Sequence, residues 1–112
     1  MAKLERILHG DFDLILSNIE RGIMKGSVSA SLEDKSDFRS DSSRCSVRVF
    51  ERYSAMGSNR VSLSVTLFQA ADSGNVHMCA VASGGSQAIF FKINTFGEQA
   101  FLDKLIKAVS RL

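Results

Sequence analysis

Residues 42–54 read SSRCSVRVFERYS, and the side on which each of them falls decides the fold. Successive side chains of a strand point to opposite faces. Alternation over 44–54 puts Cys45, Val47, Val49, Glu51 and Tyr53 on one face and Arg44, Ser46, Arg48, Phe50 and Arg52 on the other. The first set is the more apolar, so it is expected to face the core. The arginine set is then left for water, a partner or a cavity.

Working outward, AMGSN (55–59) is a turn, and RVSLSVTLF (60–68) alternates again. Val61, Leu63, Val65 and Leu67 are expected inside, with Ser62, Ser64, Thr66 and Phe68 outside. A turn over 71–75 follows, with Gly74 able to take positive φ. The strand 76–83 (VHMCAVAS) is apolar on both faces, which fits a central position. Gly84-Gly85 predicts a hairpin into a last strand, QAIFFKI (87–93). In the other direction, SVSASLED (27–34) reads as a strand and DKSDFRSDSS (34–43) as a polar loop.

Helices are expected at both ends of this array. Asp11 stands at a helix start, and Phe12, Ile15, Leu16, Ile19 and Ile23 recur at helical spacing up to Gly26. Glu20, Arg21 and Asn18 lie off that stripe. Ahead of it, residues 3–8 (KLERIL) form a short strand with Leu4 and Leu8 on one face and Ile7 on the other. Near the end of the chain, Thr95 and Glu98 match a capping box. Phe101, Leu102, Leu105, Ile106, Val109 and Leu112 then form a second helical stripe.

The element order is β-α-β-β-β-β-β-α. It predicts an α+β fold: an antiparallel meander of about five to six strands with two helices on one face, in a single domain over 1–112. The 112 residues suffice to bury roughly 60% of the unfolded surface without metals or disulfides. Composition is globular, with 45% hydrophobic and 23% charged residues and no proline. The net charge of +2 gives no general attraction to nucleic acid. Neither a leader nor a membrane span is expected, because charges interrupt the N-terminus and no apolar run is long enough. Cys45 and Cys79 are expected as free, buried thiols, which fits the cytoplasm.

The segments HGDFD (9–13), RCSVRVFERYSA (44–55), NRVSLSVTLF (59–68), SGGSQAIFFKINTFGE (83–98) and FLDKL (101–105) resemble a family of small uncharacterised bacterial proteins. The likeness spans residues 9–105 and implies no activity. The element order is also similar to a reduced helix-grip or TBP-like sheet, a topological likeness that fixes no function.

Three surfaces carry candidate chemistry. Arg44, Arg48, Arg52 and Arg60 stand against Glu51 alone over 44–60. Their guanidinium forks suit phosphate or carboxylate, while a plain solvated face is the simpler reading of them. Phe50 and Phe68 are candidates for a symmetric interface. Ser83, Ser86 and Gln87, around the paired glycines, form a candidate polar turn for a small anion.

Other groupings carry less. Glu51 in line with apolar residues needs a partner, and Tyr53 or an arginine is the natural one. His77, Cys79 and Cys45 lack a fourth metal ligand, so no metal or other cofactor is expected. No nucleophile, base and orienting group assemble into a catalytic set. The expected role is a non-catalytic domain that forms a homodimer through the open sheet face. The alternative is a module for a small anionic or apolar ligand, held on the arginine face or between sheet and helix. Nucleic acid and membrane are not expected partners.

Overall fold

The computed structural model describes residues 2–26, 29–54, 59–84, 105, 106 and 109. Its elements are β1 (Ala2–His9), α1 (Phe12–Gly26), β2 (Ser31–Ser40), β3 (Ser43–Ser54), β4 (Asn59–Gln69) and β5 (Asn75–Gly84). The five strands form one sheet in the order β1-β5-β4-β3-β2, with every neighbouring pair antiparallel. Strands β2 to β5 are a meander. The chain reaches the far edge through α1, which carries it from β1 across the sheet to β2.

Local chemistry accounts for the helix. Gly10 has φ of 130°, a conformation that side-chain-bearing residues rarely adopt, and it ends β1. Asp11 then caps α1: its carboxylate accepts from the Leu14 amide at 2.9 Å, and its carbonyl accepts from the Ile15 amide at 3.0 Å. Phe12, Ile15, Leu16, Ile19 and Ile23 are all buried, as their spacing predicts. They pack on Leu4 of β1, on Val61, Leu63, Val65 and Leu67 of β4, and on Val76, Met78, Ala80 and Ala82 of β5. Leu105 is fully buried in the same core.

Two expectations about architecture are corrected. Among the described residues the elements are a five-stranded antiparallel sheet and one full helix, α1, mostly β, rather than the expected two-helix α+β sandwich of the reduced helix-grip or TBP-like kind. Residues 34–43, expected as a loop, are mostly strand: β2 and β3 form a hairpin across Asp41-Ser42, with Ser40 opposite Ser43. Asp41 takes φ of 55°, the left-handed geometry that tight hairpins require. At the β4–β5 turn it is Asp72, with φ of 59°, and not Gly74 that adopts this conformation. The expected strand 87–93 lies outside the described residues. So does the second helical stripe, apart from Leu105, Ile106 and Val109. Strand β5 is already paired on both edges, with β1 and with β4.

The third correction concerns the stretch that decides the fold. Ser46, Arg48 and Phe50 are buried beneath α1, whereas Tyr53 is 58% exposed and Val47 and Val49 are only half-buried. The face assignment of 44–54 is therefore inverted. Register is the cause: Ser46 lies opposite Leu67, Arg48 opposite Val65, Phe50 opposite Leu63 and Arg52 opposite Val61. Residues directly opposite share a face, so the helix side of β4 brings the arginine side of β3 with it. A shift of one residue would have exchanged the two faces.

Candidate interaction surface

The arginines of β3 are built into the chain's own packing. Arg44 makes a two-pronged contact with Asp13 of α1, at 2.8 and 3.2 Å, and its guanidinium lies 4.0 Å over the Phe12 ring. Arg48 is almost wholly buried. Its Nε donates to Glu20 of α1 at 2.7 Å, and Nη1 donates to Asp37 of β2 at 3.1 Å and to the Val47 carbonyl at 3.0 Å. Asp37 also accepts from the Ser46 hydroxyl at 2.6 Å. Glu20 lies off the helical stripe, and with Asp37 it is one of the two acids that make the buried arginine tenable.

The electrostatics follow from these contacts. The hydrogen bond from Arg44 holds the Asp13 carboxyl below the ordinary carboxylate range. Asp37 is likewise lowered, first by the Ser46 hydroxyl and then by Arg48. Burial works against the charge of Arg48, but the hydrogen bonds to Glu20 and Asp37 outweigh it and raise its pKa. Burial lowers the pKa of Arg52, which shares this face. Arg60 lies away from them: it pairs with Glu51 at 3.2 Å, and its guanidinium sits 5.6 Å over the Tyr53 ring. Glu51 is half-exposed, so its partner is this arginine at the sheet end.

Of the two aromatic interface candidates, Phe50 is fully buried against α1, and Phe68 is 43% exposed on the opposite face. Ser83 is half-buried on β5, while Ser86 and Gln87 lie outside the described residues. Cys45 and Cys79 are free thiols, half-buried rather than buried. Among the described residues, no cluster of three or more His, Cys, Asp or Glu side chains is arranged to hold a metal. Among the same residues, no helix is long and apolar enough to cross a membrane.

The open face has its own order, which strand-by-strand reading did not reveal. Pairing registers align one residue from each strand into a row: Ile7, His77, Phe68, Cys45, Phe38. Ile7, Phe68 and Phe38 are 55, 43 and 61% exposed, and the Phe68 and His77 rings are 6.5 Å apart. The next row is Glu5, Cys79, Thr66, Val47, Ser36, and the third is Lys3, Val81, Ser64, Val49, Asp34. Beyond them come Ser83, Ser62, Glu51 and Ser31. The outermost row is Arg60 and Tyr53, so the face runs from an apolar row through polar ones to an exposed ring under a guanidinium. At the β1 side of the first two rows it dips into a recess of about 390 Å³, with Ile7, Phe68, His77 and Cys79 among its walls. Within β2, Leu32 and Phe38 are the apolar residues, too few to show an alternation among its polar ones.

The chain matches DUF6054, a family of unknown function, across residues 1–112, and it belongs to that family. No curated protein matches it in sequence.

Proposed function

We propose that this member of the DUF6054 family is a non-catalytic interaction domain of the bacterial cytoplasm, and that it self-associates through the open face of its sheet. The observation that carries the reading is the contrast between the two faces. One is sealed by α1, whose acids occupy Arg44 and Arg48 of the arginine face. The other leaves Ile7, Phe68 and Phe38 exposed in one row across the sheet, with His77 and Cys45 between them. Clustered apolar side chains of this kind mark interaction sites, whereas scattered ones need no explanation.

The size of the face is adequate. Five strands about 4.8 Å apart and roughly eight residues long span on the order of 650 Å². Two such faces bury about 1,300 Å², within the lower range of specific, stable interfaces. Stacked sheets approach to about 10 Å, which lets side chains of both faces interdigitate.

Sedimentation equilibrium of the wild type against Phe68→Arg tests this reading. The wild type is expected to dimerise at micromolar concentration. The arginine variant, altered at an exposed position, is expected to stay folded and to weaken the dimer by about thirtyfold or more, the scale of a central interface truncation. A wild type that remains monomeric at high micromolar concentration overturns it.

A further inference from the structure

The rows of the open face also say how two copies would meet. Resting on the self-association reading, we propose that the second copy stacks face to face about a twofold axis that runs along β4, parallel to the strands. Such a rotation keeps every row at its own level and reverses its order. β4 is the middle strand, so Phe68 meets Phe68 of the second copy at the axis, and β1 lies over β2 of the second copy.

The first three rows are then complementary to themselves, while the outermost row stacks Arg60 on Arg60 of the second copy, each held by Glu51 of its own chain. In the first, Ile7 covers Phe38 of the second copy, and the whole apolar band is removed from water. In the third, Lys3, which also pairs with Glu5 of its own strand at 3.0 Å, stands opposite Asp34 of the second copy, and the symmetry makes that contact twice. In the second, Glu5 meets Ser36, so no like charges face one another. The other in-plane axis, perpendicular to the strands, reverses the levels instead. It would lay the apolar row over the end that holds Ser62 and the Glu51–Arg60 ion pair, taking a charge pair out of water against apolar side chains. Charge pairs at the rim select register and partner more than they add affinity.

Charge exchange provides the test, read by sedimentation equilibrium. Lys3→Asp alone and Asp34→Lys alone each place two like-charged contacts in the dimer, and each is expected to weaken it about tenfold. Lys3→Asp combined with Asp34→Lys restores opposite charges and is expected to return the dimer to within about threefold of wild type. A second measurement is independent of charge. With Cys45→Ser and Cys79→Ser in the background, Phe68→Cys is expected to link copy to copy through a short bis-maleimide, and Ile7→Cys alone is not. A dimer in which the double exchange brings no recovery, or in which Ile7→Cys links to itself as readily as Phe68→Cys, overturns this axis and leaves self-association standing. A chain that never dimerises overturns both.

Discussion

A guanidinium placed under a helix loses its water, and its charge survives only if acids replace that water. Arg48 meets this condition through Glu20, Asp37 and two backbone carbonyls. Arg48→Met keeps the bulk but removes every one of these donors. Because Glu20 and Asp37 are partly solvated, the loss is expected to be about 1–3 kcal/mol, read as a lowered urea midpoint at unchanged slope. Two neighbouring positions on β3 separate the observed face assignment from its inverse. Phe50 is fully buried, so Phe50→Ala is expected to cost about 3–5 kcal/mol. Tyr53 is exposed and its ring lies under Arg60, so Tyr53→Ala is expected to cost no more than about 1 kcal/mol. Equal effects at the two sites would contradict the packing of β3.

Among the elements, α1 was legible from sequence almost residue by residue, because periodicity and cap act locally and agree. Asp11→Ala is expected to cost about 1 kcal/mol, since the Leu14 amide loses its acceptor; a thermal melt with no shift would show that this bond contributes nothing. Strands β4 and β5 were legible for a similar reason: the Val61–Leu67 series marks one side of β4, and the 76–83 run, apolar on both faces, marks a strand inside the sheet, while in β1 Leu4 and Ile7 point opposite ways. Strand β3 was not. Its two faces are nearly balanced, and the choice between them is made by pairing with β4 and by acids on α1 and β2, all distant in sequence. Strand β2 was hidden because an edge strand protects itself with charge: Asp34, Lys35, Asp37 and Arg39 look like a loop and act as an edge that resists further pairing. The candidate surface shared this fate. Phe68 was visible as an outward aromatic, but its row needs the registers of all five strands, and no single segment encodes them.

For the molecule as a whole, α1 is held to the sheet in two different ways. Along β1, β4 and β5 the contact is apolar and indifferent to pH. Toward β3 and β2 it depends on carboxylates: Asp13 grips Arg44 from the helix, and Asp37 supports Arg48 from β2. Both carboxyls are lowered in the folded chain, so the folded state binds their protons less readily than the unfolded chain does. Their contribution is therefore complete above the ordinary carboxylate pKa, and it is lost as the pH falls through that value to the folded ones. Unfolding free energy from urea titrations is expected to decline below about pH 4, more weakly in high salt because both carboxylates are solvent-exposed. Asp13→Asn combined with Asp37→Asn is expected to lower stability at neutral pH and to flatten the decline in acid. An unchanged acid slope in that variant would mean that Asp13 and Asp37 carry none of the acid sensitivity, and that the polar link between α1 and the sheet rests on Glu20 and Arg48.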